Sequence, residues 1–261
     1  MSGPTPLLDF FRRGEVARDV RLLAAQGGLA TRAHEQLGIL VYLLDDADPE
    51  IRETADATLD RIPPDALSAF LARPDAPAAL REFFAARGVA AAAAPAVVLD
   101  EDAPLLDTDA GEGDLDLPEE AEDRSTVVQR LATMTFPERL KAAVKGSREL
   151  RAILVRDPNK MIAAAVLSSP KLTEQEVETI ARMTNVSDDV LRTIGQNRAW
   201  TKNYAVVVGL TKNPKTPLAM SLNFMSRLND RDLTMLAVDR NVPEPLRIAA
   251  RKKIVAATSG H

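Results

Sequence analysis

The 261 residues carry 33 basic and 38 acidic side chains, two histidines and no cysteine. The lack of cysteine excludes a disulfide framework, a thiolate metal site and a cysteine nucleophile. His34 and His261 are the only imidazoles, so an HExxH metal site is excluded and a Ser-His-Asp triad would rest on His34 alone. The net charge of −5 conceals three unlike blocks. Residues 1–88 hold 10 basic and 14 acidic groups, residues 89–123 hold 12 acidic groups and no Lys or Arg, and residues 124–261 hold 23 basic and 12 acidic groups. Charge asymmetry of that size points to a tail, a partner or a self-contact.

The chain opens Met-Ser-Gly-Pro-Thr-Pro, without the basic and apolar stretches of a leader, and no apolar run approaches the roughly 20 residues that cross a bilayer. A cytoplasmic protein without membrane association is expected. Strand-type alternation is scarce, and short amphipathic segments broken by Pro and Asn recur throughout, so the fold is expected to be all-α. Leu7-Leu8-Asp9-Phe10-Phe11 reads as a short helix packing with Val16, Val20, Leu22 and Leu23. A second helix runs from Ala33 through Leu37, Leu40, Val41 and Leu44, with His34 a surface or capping residue at its start. Asp45-Asp46-Ala47-Asp48-Pro49 makes an acidic turn in which Asp48 caps the next helix and Pro49 takes its first position. That helix places Ile51, Ala55, Thr58 and Leu59 at helical spacing, Pro63-Pro64 stop it, and Leu67, Phe70 and Leu71 begin another. Residues 1–88 thus form an N-terminal helical module.

Residues 89–123 differ in kind. An alanine run, Ala90 to Ala94, leads through Pro95 into Asp, Glu, Gly and Pro, interrupted by the islands Val97-Val98-Leu99, Leu105-Leu106, and Leu115 with Leu117. Such a stretch buries too little apolar surface to offset its chain entropy and is expected to be a disordered acidic linker. It serves either as a solvated spacer or as an acidic–hydrophobic docking motif, with Val98, Leu99, Leu105, Leu106, Leu115 and Leu117 as the docking side chains.

Residues 124–261 form a basic helical-repeat domain. Its first helix is expected to be long, with Leu131, Leu140, Val144, Leu150, Ile153 and Leu154 apolar and Lys141, Lys145 and Arg148 on one face. Helix starts then recur behind Pro, Thr or Ser: Ser169-Pro170-Lys171-Leu172-Thr173, Thr184-Asn185-Val186-Ser187, Asn213-Pro214-Lys215-Thr216-Pro217 and Arg240-Asn241-Val242-Pro243. Arg73-Pro74-Asp75-Ala76-Pro77 is an earlier instance. The cap positions lie 14, 30 and 26 residues apart from Thr173 to Pro243, so single helices alternate with two-helix units that must stack to bury their apolar faces. With these residues in view, Asp157-Pro158-Asn159-Lys160-Met161-Ile162 followed by Ser169-Pro170-Lys171-Leu172-Thr173 resembles a variant leucine-rich or HEAT-like α-helical repeat, and Asp48-Pro49-Glu50-Ile51-Arg52 resembles a more divergent copy. The resemblance covers roughly residues 36–87 and 130–255 and implies a short-helix α-solenoid that binds macromolecules on an extended surface. The expected architecture is therefore two helical modules joined by the acidic linker.

Cations gather near helix ends: Arg156 and Lys160, Arg198 and Lys202, Lys212 and Lys215, and Arg247 with Arg251-Lys252-Lys253. They suit a polyanion if the turns share an edge, and they equally suit an ordinary solvated surface. Trp200 and Tyr204, four apart, are placed on one helix face, and packing is favoured over binding for the pair. Asp188, Asp189, Glu174, Glu176 and Glu178 read as first-turn acids favoured by the helix dipole. The sequence thus points to a non-enzymatic interaction scaffold without cofactor or metal, binding a protein partner. Candidate contacts are Lys141, Lys145, Arg148, Arg156, Lys160, Arg198, Trp200, Lys202, Lys212 and Lys215. The tethered linker is expected to fold onto the basic domain, where its carboxylates meet the cations. Nucleic-acid binding by the basic surface is the alternative. Deleting 95–122 is expected to raise affinity for a polyanion in a salt-dependent way, measured by mobility shift; unchanged affinity would end the idea.

Overall fold

The computed structural model describes residues 5–92, 103–108 and 124–259. The described residues form sixteen α-helices and one 3-10 turn, with no strand among them, so the protein is all-α. None of these helices is long and apolar enough to cross a membrane. The expected islands at Val98, Leu99, Leu115 and Leu117, and the C-terminal His261, lie outside the described residues.

Two compact units divide the chain, residues 1–172 and 173–261. The first contains α1 (Pro6–Arg12), α2 (Arg18–Ala25), α3 (Ala33–Leu43), α4 (Pro49–Asp60), α5 (Pro64–Ala72), α6 (Ala78–Ala86), α7 (Arg124–Thr133), α8 (Phe136–Lys145), α9 (Arg148–Leu154) and α10 (Lys160–Leu167). The second contains α11 (Glu174–Arg182), α12 (Asp188–Gln196), the 3-10 turn Trp200–Lys202, α13 (Tyr204–Lys212), α14 (Leu218–Met225), α15 (Asp230–Val238) and α16 (Glu244–Ser259).

Helices this short are marginal alone, so their ends and their neighbours hold them. A repeated turn supplies the ends. Asp46 Oδ1 accepts from the Asp48 N–H at 2.9 Å, and the Asp48 side chain then caps α4, with Pro49 at its first position as the sequence implies. Asp157 and Asn159 repeat that step before α10, where Asn159 Oδ1 accepts from Met161 and Ile162 N–H. Asn197, Asn213 and Asp239 make the same side-chain bond to the N–H two residues on. Thr173 and Ser187 cap α11 and α12 as expected, and α14 begins directly after Pro217. From Lys160 onward the helices start at 160, 174, 188, 204, 218, 230 and 244. The longer intervals read from sequence each hold one more helix, opened by Asn203 or Asn229 as N-cap.

The expected long helix through 131–154 is instead three. Thr135 and Glu138 form a capping box that restarts the helix at Phe136, and α8 ends at Gly146, where Ser147 caps α9. Leu131 to Leu140 and Val144 to Leu150 are nine and six residues apart, off the i, i+3, i+4 spacing, and Thr135-Phe136-Pro137-Glu138 carries the capping-box pattern, so both breaks are marked in the order of residues.

The first unit draws on both sides of the acidic stretch: α1 packs on α3 and α10, α2 on α3, α4 and α8, and α10 on α8 and α9. Its edge falls after Leu172, whereas composition placed module edges at 88 and 123. The reason is burial. Leu7, Phe11 and Val20 are at most 1% exposed, as are Ile162, Val166 and Leu167, and helices of seven or eight residues need such partners. Net charge reports exposed side chains and says nothing about which apolar faces meet.

At the α1–α3–α10 junction Glu35 is completely buried. Its Oε1 accepts from the Leu7 and Leu8 N–H groups at 2.7 and 3.2 Å, holding the first turn of α1. Arg32, on the same helix entry, donates from Nη1 to the Leu167 carbonyl at 2.7 Å and so ties down the end of α10. Burial raises the Glu35 carboxyl to about 7, against the opposing pull of Ser168, the two N–H donors and Arg32. A folded-state value above the ordinary 4.5 means that the fold binds this proton more tightly than the unfolded chain does. Stability is thus full below about pH 4.5 and declines as the pH rises to about 7, by roughly 3 kcal/mol from this group. Glu35→Gln keeps an oxygen for both N–H groups and carries no charge. Urea unfolding at pH 5 and pH 8 is expected to show a drop in wild type that shrinks by that amount in the variant; an unchanged drop would place its origin elsewhere.

Candidate functional site

Residues 103–108, from the middle of the acidic stretch, form no helix, bend at Leu105 and turn at Thr108, and lie against the helices of the first unit. Gln36 on α3, 4% exposed, supplies the grip. Its Oε1 accepts from the Leu105 N–H at 2.9 Å and the Leu106 N–H at 3.2 Å, while its Nε2 donates to the Leu106 carbonyl. One side-chain amide thereby satisfies three backbone groups of a segment that forms no helix or sheet of its own. Leu105 is 9% exposed and Leu106 is half-buried.

Gly27 makes the room. It has φ +81°, a left-handed conformation that favours glycine, and a β-carbon there would come within 3.2 Å of Thr108 Cγ2 and 3.4 Å of both Leu106 Cδ2 and Thr58 Cγ2. The segment's Asp107 pairs with Lys145 at the end of α8, whose Nζ donates to Asp107 Oδ1 with both side chains largely covered.

The apolar island Leu105-Leu106 therefore docks, as the pattern of apolar residues among carboxylates suggests. The place differs from expectation. Of the residues 124–261, Lys145 makes the ion pair, while Gln36 on α3, Thr58 on α4 and Gly27 in the turn between α2 and α3 come from the N-terminal part of the chain. Backbone hydrogen bonding and a glycine-made space fix the position, whereas long-range attraction to a basic surface names no particular site. Gln36, Gly27 and Asp107 were not singled out by the sequence reading. The legible trace is that Pro104-Leu105-Leu106-Asp107 repeats the string Pro6-Leu7-Leu8-Asp9.

The other candidate cations are dispersed. Lys141 is half-buried on α8, and Arg148 stands beyond the Gly146 break on α9, so Lys141, Lys145 and Arg148 do not share one helix face. Arg156 and Lys160 are exposed around the α9–α10 turn, and Arg156 Nε donates to the Ala152 carbonyl. In the second unit Arg198 and Lys202 are exposed on either side of Trp200. Trp200 itself is 8% exposed and sits in the 3-10 turn, which ends at Asn203 before α13 begins. The helix break separates it from Tyr204, which is 41% exposed, so the two aromatics do not share a face and Trp200 packs inside.

Lys212 and Tyr204 instead line an open cleft of about 750 Å³ in the second unit, with Arg182, Arg231, Asp232 and Met235 among its walls. Asp232 accepts from Lys212 Nζ and from the Tyr204 hydroxyl, each at 2.8 Å. The Lys212 ammonium, ahead of the Tyr204 hydroxyl, holds the Asp232 carboxyl below the usual carboxylate range. Lys215 donates to the Val186 carbonyl at 3.1 Å, a bond from loop to loop. Among the described residues, no three His, Cys, Asp or Glu side chains gather as they must to hold a metal ion.

Gln36→Ala is expected to free the segment. Hydrogen exchange at the Leu105 and Leu106 amides, slowed in wild type, should approach the unprotected rate in the variant, with overall stability falling by about 1–3 kcal/mol. Retained protection would mean that Gln36 does not hold these groups. No protein-family model, curated protein or solved structure matches this chain.

Proposed function

We propose that this chain is a non-enzymatic helical-repeat scaffold that binds a protein partner and is regulated by its acidic stretch, which folds back onto the helices. The observation that carries the reading is the seating of residues 103–108: side chains on packed helices hold a non-helical, apolar and acidic peptide through its backbone. That is peptide recognition already at work within one molecule. The helix starts at intervals of 12 to 16 residues, each behind a side-chain or proline cap, support a stacked-repeat arrangement, as does the second unit's packing of α11 on α12 and α13, α13 on α14, and α16 on α14 and α15. The remaining exposed cations suit the rim of such an interface, where charge governs association rate more than affinity.

A second reading has its own observation. Arg148, Arg156 and Lys160 in the first unit, and Arg198, Lys202 and Lys215 in the second, all lie on exposed positions, as phosphate contacts require. The two readings part on salt. Incubated with duplex and single-stranded DNA and RNA at 50 and 200 mM salt, the full chain is expected to show no retarded species, whereas affinity purification is expected to recover a protein. Affinity for nucleic acid that falls steeply with salt, and is lost in Arg198→Glu/Lys202→Glu, would overturn the scaffold reading in favour of the second.

A further inference from the structure

The string Pro-Leu-Leu-Asp occurs twice in the chain, at residues 6–9 and 104–107, and two adjacent residues of α3 receive the two copies in the same manner. Glu35 Oε1 accepts from the Leu7 and Leu8 N–H groups at 2.7 and 3.2 Å; Gln36 Oε1 accepts from the Leu105 and Leu106 N–H groups at 2.9 and 3.2 Å. The second leucine of each copy rests against a glycine. A β-carbon at Gly38 would come within 2.8 Å of Leu8 Cδ2, and one at Gly27 within 3.4 Å of Leu106 Cδ2. The chemistry of the string explains the match. Proline offers no N–H and fixes its own φ, which leaves the two following N–H groups to be taken by one oxygen, as an N-cap side chain takes the first donors of a helix.

The two copies differ in what surrounds them. The first continues into α1, whose Leu7 and Phe11 are at most 1% exposed, and its Asp9 is exposed. The second forms no helix, leaves Leu106 half-covered, and engages Asp107 with Lys145. The first copy is part of the core, while the second occupies a groove made of Gln36, Gly27, Thr58 and Lys145 that reads a backbone, one buried leucine and one carboxylate.

From this pairing we propose that the Gln36 groove is a docking site for a partner protein that presents Pro-Leu-Leu-Asp in a non-helical segment, and that residues 104–107 are a tethered competitor for it. The proposal rests on the scaffold reading and names the chemistry of its partner. A tether supplies its own segment at an effective concentration of about a millimolar. A second copy of the chain offers the same four residues and gains nothing over the segment already tethered. A partner that adds contacts beyond the four residues exceeds it.

The test uses an acetylated, amidated Ala-Pro-Leu-Leu-Asp-Thr peptide carrying a fluorophore, titrated by anisotropy against the full chain. In Leu105→Ser/Leu106→Ser the groove is vacated, and the peptide is expected to bind at least about tenfold tighter than to wild type. Adding Gln36→Ala to that variant is expected to abolish binding, and a peptide with Asn for Asp should bind several-fold more weakly. Should Gln36→Ala fail to give a native thermal melt, Gln36→Glu, which lacks the donor to the Leu106 carbonyl, and Lys145→Glu serve in its place. Equal affinity for wild-type and vacated chains, no binding to the vacated chain, or binding that survives loss of Gln36 would overturn the proposal. So would a wild-type dimer in sedimentation that the double variant abolishes, since the groove would then belong to a second copy. Recovery of a partner by affinity purification, with failure of the peptide, leaves the scaffold reading standing and removes this groove from it.

Discussion

Two neighbouring side chains on α3 organise the first unit. Glu35 and Gln36 are both buried, and each spends an oxygen on a pair of backbone N–H groups from a distant part of the chain. A buried carboxylate or amide left without partners costs several kcal/mol, and so does a buried pair of peptide N–H groups. Each requirement meets the other here, which fixes where α1 begins and where residues 105 and 106 lie. Arg32, one turn earlier, extends the same constraint to the end of α10 through the Leu167 carbonyl. A single helix thereby ties together segments more than a hundred residues apart.

The difference between the two positions is chemical. At residue 35 a carboxylate is charged at neutral pH in water, so its burial makes the first unit sensitive to pH. At residue 36 the amide is neutral, carries both an acceptor and a donor, and gives the Leu106 carbonyl a partner that a carboxylate lacks. The neutral reader thus holds its segment without the cost of a buried charge. A tethered peptide held by one amide, one leucine and one ion pair is suited to exchange, whereas a helix anchored by a buried acid and several core leucines is suited to permanence.

The charge blocks also acquire a physical meaning. The described part of the acidic stretch pairs Asp107 with Lys145, with apolar and backbone contacts deciding the location. Several cations read from sequence as a binding set serve the fold as well: Lys212 neutralises Asp232 beneath Tyr204, and Lys215 bonds a neighbouring loop carbonyl. Long flexible cations near helix ends do both jobs, covering loops and facing water.

By itself the sequence determined what depends on neighbours along the chain. The all-helical class follows from apolar spacing. The caps at Asp48, Thr173 and Ser187 follow from residues whose oxygens reach the N–H groups two or three positions on, while two leucines set among acids left a spacer and a docking segment both open. The breaks at Thr135 and Gly146 are written in the Thr135–Glu138 capping box and in Gly146-Ser147, whereas the turn that buries Trp200 while exposing Tyr204 left no such mark. Tertiary structure alone decided that α1 and α2 pack with helices from beyond the acidic stretch, and that Glu35 and Gln36 face two copies of one string. Apolar faces and buried oxygens choose partners by shape and unsatisfied hydrogen bonds across space, and neither leaves a periodic mark in the order of residues.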